Sequence, residues 1–376
     1  MGDIKRKLKP VLFLIILILM VLPILYNLFN INKIDKLNGA IVQLEKPLFS
    51  FDDWFSGEYQ EKEEKYINEN FGFRNLFIRL NNQIYFDFYK KAKANGVIIG
   101  KQNYLFEENY IKAFYGTDFI GKDSINKRME KFKYLQDTLQ KLNKNLLLIF
   151  AAGKGTYYSE YIPEKYKVKK AITNYEYHLK IAKKLGVNYI DFNQYFLKNK
   201  YKSKYPLYPK YGIHWSIYGM CLAADSIIKH IEKDRKIDMN SIYWEKVDVE
   251  DPKNEDYDIG SGMNLLFKLK SFKMGYPQIK FEKDNSKIKP NLLVVSDSYY
   301  WGMFNFGIST VFNESHFWYY NKEIYPDTYT KPIMTDQIDL RKEINKHDVI
   351  IVMSTQATMT DLGWGFIEKA YDLYKK

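Results

Sequence analysis

The first pattern along the chain is a cluster of cations followed by an apolar run. Lys5, Arg6, Lys7 and Lys9 crowd the start, and Val11 to Leu25 then reads as fifteen apolar residues. Counted from Pro10 to Phe29 the stretch is 20 residues, and a helix of that length spans about 30 Å, the thickness of a bilayer core. Only Lys33 and Lys36 follow closely, offset by Asp35. The positive-inside rule therefore predicts a cytoplasmic N-terminus and export of the rest. Leu25 to Asn30 offers no small-x-small cleavage site, which favours an uncleaved signal anchor over a signal peptide.

Residues 30–95 read as a stalk leading into helices. Glu58 to Glu69 is strongly charged, and Leu76, Leu80, Ile84 and Phe88 then recur at helical spacing up to a stop at Gly96. Val97 opens a strand or hairpin that ends at Tyr104-Leu105-Phe106. From about residue 120 helix and strand alternate. Met129, Phe132, Leu135, Leu139 and Leu142 form one stripe of a helix over 124–143. Leu146 to Phe150 is a continuous apolar strand suited to the centre of a parallel sheet. A helix over 175–185, a strand over 187–191 and a helix over 218–232 follow, then a polar excursion over about 235–288. Leu292 to Val295 and Val349 to Met353 are two further buried strands, and 365–375 is a closing helix. The expected fold class is α/β, a doubly wound parallel sheet covered on both faces. The expected organisation is a tail over 1–9, an anchor over 10–29, a stalk with helices over 30–95 and the α/β domain over 96–376.

Composition narrows the function. The 57 Lys+Arg against 45 Asp+Glu leave a net +12, which invites a nucleic-acid reading. Only six of those cations are arginines (Arg6, Arg74, Arg79, Arg128, Arg235 and Arg341), and phosphate clamps and base readers favour the arginine fork. No nucleic-acid partner is expected. A single cysteine, Cys221, excludes an intramolecular disulfide framework and a thiolate metal cluster.

In such sheets the reactive groups sit just beyond the carboxyl ends of strands. Ser296-Asp297-Ser298 follows the strand ending at Val295. A serine there is exposed and close to backbone N–H donors, as an acyl-transfer nucleophile requires; a plain serine-rich loop or N-cap is the alternative. The segment does not match G-x-S-x-G, so an α/β-hydrolase elbow is not indicated. A serine nucleophile needs a base, and there are five histidines. His178 and His230 lie in helical patterns, His347 precedes a strand beside Asp348, and His316 sits in an aromatic run. His214 stands in Tyr211-Gly212-Ile213-His214-Trp215-Ser216, a loop directly before a helix. That is a suitable place for a general base and equally for a capping loop; it ranks ahead of His316.

Gly153-Lys154-Gly155-Thr156 suggests a phosphate loop, but Leu148 occupies the position where the pattern needs its first glycine. Nucleotide binding is rejected, and Lys154 is retained as an anion or substrate contact. Asp256 and Asp258 with Glu250 and Asp251 could hold calcium, but they lack the spacing of a calcium loop. No metal and no cofactor is expected.

Taken together these motifs resemble the SGNH-like acetyltransferases of the alginate O-acetyltransferase (AlgX/AlgJ) family, from about residue 66 onward. Asn70-Phe71-Gly72-Phe73-Arg74 is similar to the family's early Phe-x-x-Arg segment. Gly100 to Phe106 is similar to its Gly-Lys-x-x-Trp-Leu-Phe hairpin, and Gly153-Lys154 through Pro163 to its Pro-x-Lys loop. His214-Trp215-Ser216 matches the His-Trp-Ser/Thr part of Asp-x-His-Trp, and Ser296-Asp297-Ser298 resembles Gly-Asp-Ser. The resemblance implies an SGNH-like (flavodoxin-like) domain in which Ser298 carries an acetyl ester and His214 is the base. Backbone amides near Ser298 would hold the oxyanion, with Asp297, Lys154 and Arg74 in supporting or substrate roles. It further implies a polysaccharide acceptor, a membrane-bound O-acyltransferase (MBOAT) as donor partner, and a site on the periplasmic side of a bacterial inner membrane.

Two departures stand out. Gly212 occupies the position of the family's aspartate, and Ser296 that of its glycine. Asp191, at the end of the second strand, is the substitute acid that the sequence offers; otherwise the site runs as a Ser-His dyad. An esterase that removes acetyl groups and a non-catalytic glycan-binding subunit are the alternative functions. Tyr157, Tyr158, Trp301, Trp318 and Tyr319 are the aromatic candidates for stacking on sugars.

Overall fold

The protein is represented by a computed structural model that describes residues 2–29, 35–39, 44–326 and 333–375. It divides into two compact units: Met1–Asn95 with Gly260–Leu269, and Gly96–Ile259 with Lys270–Lys376.

The first unit is helical. Its leading helix, Gly2–Phe29, carries the predicted span. The side chains of Lys5, Arg6 and Lys7 lie outside the described residues. From Val11 to Leu22 the apolar side chains are exposed on every side of this helix. Among the described residues, however, no helix is long and apolar enough to cross a membrane, and the anchor expected over 10–29 is not shown. Three helices follow, Phe51–Ser56, Glu58–Asn70 and Arg74–Tyr89. Ser50 caps the first of them, accepting from the Asp53 amide at 3.1 Å. The last is tied to the inserted segment where Asn82 donates to the Met263 carbonyl and Arg79 to that of Leu265.

The second unit holds eleven strands among its described residues. In chain order they are β1 (Val97–Ile99), β2 (Leu105–Glu107), β3 (Asn145–Ala151), β4 (Tyr189–Asp191), β5 (Ile242–Glu250), β6 (Met274–Phe281), β7 (Leu292–Ser296), β8 (Ser315–Tyr319), β9 (Glu323–Pro326), β10 (Ile333–Met334) and β11 (Val349–Thr355). Seven form the central sheet, in the order β10-β9-β8-β7-β11-β3-β4. The five strands from β8 to β4 run parallel, whereas β9 and β10 pair antiparallel at one edge. The sheet is thus mixed, not wholly parallel, because the short Tyr319–Glu323 reversal returns the chain as a hairpin instead of through a crossover helix. The polar excursion is a separate hairpin of β5 and β6.

Strands β7 and β11 are buried at every residue, and β3 at all but its first, as expected of parallel strands covered on both faces. Alternate residues Leu146, Leu148 and Phe150 join one core cluster with Leu293, Val295, Ile350 and Val352. The helix Lys122–Lys141 contributes Ile125, Met129, Phe132, Leu135 and Leu139 to it. Four of the five are the expected stripe, whereas Leu142 lies just past the helix end and is exposed and Ile125 takes a place one turn earlier. The helices Asn174–Leu185 and Phe366–Lys375 complete this layer. The carboxyl ends of β3, β7 and β11 lie side by side in the order β7-β11-β3, and the functional side chains gather there.

Candidate active site

Ser298 follows β7 and stands at the start of the short helix Tyr299–Asn305, where its side chain makes no capping bond. Its Oγ lies 2.9 Å from Nε2 of His214, and His214 Nδ1 lies 2.8 Å from Oδ2 of Asp258. With Asp258 ionised, Nδ1 carries the proton and donates to it, which leaves Nε2 to accept from the serine hydroxyl. The His214 side chain keeps 17 % of its surface exposed and Asp258 29 %, so the group is sheltered yet reachable. Burial disfavours the imidazolium, but the hydrogen bond and charge of Asp258, with Glu255 and Asp297 nearby, outweigh it and hold the His214 pKa above its ordinary value.

The sequence offers Asp258 only as a possible calcium ligand. In the structure it takes the place left open by Gly212, and the reason is steric. A Cβ on residue 212 would stand 2.2 Å from the Glu255 carbonyl oxygen and 3.0 Å from the Asp256 carbonyl carbon. The 254–258 segment therefore presses against the histidine loop where an aspartate side chain would begin. That segment supplies its own acid. Asp258 Oδ1 also accepts from the Ile213 amide at 2.9 Å, and Asp256 accepts from that of Ile217 at 3.2 Å. The relationship spans 44 residues of chain, and no local spacing announces it.

The other expected residues fall into two groups. Asp297 is buried beside Ser298: Oδ2 accepts from the Thr355 amide (2.9 Å) and Thr358 Oγ1 (2.7 Å), and Oδ1 from the Tyr299 amide (3.1 Å). It thereby ties the serine turn to the end of β11, and the Tyr299 amide is committed to it instead of to an oxyanion. Lys154 is fully buried, so it is no exposed substrate contact. Its Nζ donates to the carbonyls of Lys210 (3.0 Å) and Gly212. Burial drives its pKa down to about 7 against the pull of Asp258 and Glu107. Lys154 thus braces the His214 loop from beneath.

Asp191 does not support His214. It caps the helix Phe192–Asn199 through the Gln194 amide and accepts from Tyr175 Oη at 2.9 Å. Arg74 pairs with Glu69 at 2.7 Å within the first unit.

Sequence reasoning also passed over Tyr299. This buried residue donates its hydroxyl to the Ile213 carbonyl at 2.7 Å, and its ring lies 4.9 Å from that of His214. Its hydroxyl is 2.5 Å from that of Tyr208, which reaches the Ala152 carbonyl. Serine turn, histidine loop and β3 end are thus joined through two phenols. Of the aromatic candidates for sugar stacking, Trp318 is core, and Trp301 and Tyr319 pack edge-on against each other at 5.4 Å. Tyr157 and Tyr158 are largely buried but line a cavity of about 390 Å³ with Tyr104, Tyr161, Tyr201 and Lys200. Tyr158 donates to the Tyr208 carbonyl, linking that cavity to the phenol pair.

Residues 97–258 match the family model described as the SGNH hydrolase-like domain of acetyltransferase AlgX. No curated protein matches the sequence. Similar solved structures include the O-acetyltransferase domain of Pseudomonas putida AlgJ, with 14% identity, 74% of this chain and 99% of that chain covered, and a TM-score of 0.48. Pseudomonas aeruginosa AlgX is 12% identical over 72% of this chain and 67% of its own, with a TM-score of 0.43. Bacillus cereus PatB1 is 14% identical over 65% and 93%, with a TM-score of 0.41.

Proposed function

We propose that this chain is an O-acetyltransferase that passes acetyl groups to hydroxyls of an exported or cell-surface polysaccharide through an acetyl ester on Ser298. The observation that carries the reading is the unbroken relay from Ser298 through His214 to Asp258, at 2.9 and 2.8 Å. The family match over residues 97–258 supports acetyl as the acyl group.

In the first half-reaction His214 Nε2 takes the Ser298 proton as Oγ attacks the acetyl carbonyl. The tetrahedral adduct collapses, and the imidazolium returns that proton to the departing donor. In the second, His214 deprotonates a sugar hydroxyl, which attacks the ester; Ser298 leaves and recovers its proton. Asp258 keeps Nδ1 protonated and stabilises the imidazolium in both halves. The tyrosine-lined cavity offers aromatic faces for the acceptor, and the Lys200 and Lys204 side chains line it as well.

The donor reaches the site from an MBOAT partner, and the chain is held on the bilayer by residues 10–29 with the catalytic unit periplasmic. What supports the anchor is the helix apolar on all sides at Val11–Leu22, since such a helix has no favourable place in water. Protease digestion of intact spheroplasts tests it: the second unit is expected to be cleaved from outside.

For the chemistry, full-length protein in detergent is given 4-nitrophenyl acetate with and without oligosaccharides of neutral, amino and uronic sugars. Acetylated sugar is expected, with a mass gain of one acetyl on Ser298 and loss of both in Ser298→Ala. Free acetate with no acetylated sugar would assign an esterase instead. Unchanged glycan acetylation by Ser298→Ala in cells would make the chain a binding subunit.

A further inference from the structure

The sheet carries a second cluster of titratable groups at the end opposite Ser298. His316 lies at the start of β8, in register with Leu293 of β7, five residues before Ser298. At about 3.3 Å per strand residue the two clusters are some 15 Å apart along the strand, so this one takes no part in the transfer. It joins His316 to Glu343 and His347, which stand four residues apart at the end of the helix Leu340–Lys346. One ligand atom from each of the three lies within 4.8 Å of those of the other two.

The hydrogen-bond pattern around the two rings is that of metal ligands already oriented. His347 is fully buried, and its Nδ1 is 2.7 Å from the Glu343 carbonyl oxygen. A carbonyl can only accept, so Nδ1 is the protonated nitrogen and Nε2 keeps its lone pair. That Nε2 is buried and has no hydrogen-bond partner among the described residues. A bare acceptor in the interior is costly, so something should occupy it. The His316 ring lies 4.9 Å away, with Nδ1 2.9 Å from Glu343 Oε2 and Nε2 3.1 Å from Glu314 Oε1. Glu314 also pairs with Lys346. Each imidazole thus has one nitrogen held by an oxygen acceptor and the other turned to the cluster, the outer-shell arrangement that fixes ligating histidines.

We infer that His316 Nδ1, His347 Nε2 and the Glu343 carboxylate form a binding site for a divalent transition metal of the zinc class. Two imidazoles and a carboxylate suit zinc better than calcium or magnesium, which favour all-oxygen sites. Bonds of about 2.0–2.1 Å in tetrahedral array put ligand atoms about 3.4 Å apart. His316 Nδ1 and Glu343 Oε2, now 2.9 Å apart, open slightly, the other ligand atoms close from at most 4.8 Å, and water completes the shell. The ion replaces the proton shared by His316 and Glu343, and that proton leaves to solvent. The site is a clip: it fastens the start of β8 to the helix that feeds β11, at the amino ends of these parallel strands.

The test is equilibrium dialysis of chelator-treated, full-length protein against Zn(II), with thermal unfolding in parallel. One equivalent bound and a rise in melting temperature are expected. His347→Ala and Glu343→Gln each lose the equivalent and the rise, whereas His230→Ala keeps both. Should His347→Ala not fold, Co(II) binding to wild type and Glu343→Gln decides: an intense visible absorption is expected in the first and not in the second. No stoichiometric binding by wild type, or its retention in Glu343→Gln, overturns the site. Loss of the equivalent in His214→Ala with retention in Glu343→Gln would instead place the ion at the serine site.

Discussion

Gly212 and Glu255 meet backbone to backbone: a Cβ on Gly212 would come to 2.2 Å from the Glu255 carbonyl oxygen. The contact accounts for the missing aspartate two residues before His214. The acid has moved onto the segment that fills its space, and Asp258 approaches the same imidazole nitrogen from there. Gly212→Ala is therefore expected to displace the 254–258 segment, lowering stability by about 1–3 kcal/mol. Gly212→Asp combined with Asp258→Ala does not restore transfer, although it rebuilds the family's Asp-x-His order. Urea unfolding and acetyl transfer by the two variants check this.

Asp258→Asn leaves a polar group of the same shape but cannot hold Nδ1 as the protonated nitrogen. The expected fall in kcat is about 10⁴, as for loss of the corresponding acid in serine proteases. The pH profile adds a readout that misfolding would not mimic. Asp258 helps hold the His214 pKa above its ordinary value, and the base works as neutral imidazole. In wild type kcat/KM rises with pH through that raised pKa, and in Asp258→Asn the rise moves to lower pH.

Lys154→Met preserves the length of a fully buried side chain while removing its bonds to the Lys210 and Gly212 carbonyls. The His214 loop then loses its brace. Since displacement of a catalytic group by an ångström costs up to about 10²-fold, kcat is expected to fall about 10–100-fold with KM unchanged. Steady-state kinetics separate this from a substrate-binding lysine, whose loss would raise KM.

Asp256 is fully buried, and burial pushes its pKa from 3.8 up to about 7. Between those values the folded protein holds a proton that the unfolded chain has released. Stability therefore falls as pH rises through this window and levels off above it, with a slope of at most about 1.4 kcal/mol per pH unit from this group. Asp256→Asn retains an oxygen acceptor for the Ile217 amide and removes that slope. Denaturant titrations at pH 5, 6, 7 and 8 show the difference.

Much of the fold was legible because parallel strands and their covering helices announce themselves locally. Leu146–Phe150, Leu292–Val295 and Val349–Met353 are apolar without interruption, and each is a central strand. Ser315–Tyr319 reads only as an aromatic run, since its residues carry no alternation to mark the strand it forms. Ser298 and His214 were identifiable by position, one just past a strand and one just before a helix. Asp191 was the wrong acid because strand ends attract capping aspartates regardless of chemistry.

The sequence by itself determined the alternation of strand and helix and singled out Ser298 and His214 as the candidate nucleophile and base, since these depend on residue type and near neighbours. The tertiary structure alone decided what completes them. Asp258 reaches His214 across 44 residues, Asp297 reaches Thr355 across 58, and Lys154 reaches the Gly212 carbonyl across the same interval. Side-chain partnerships at that range follow from which strand ends the sheet order sets side by side. Here the order puts β11 between β7 and β3, an arrangement that packing of the whole domain fixes and no local pattern encodes.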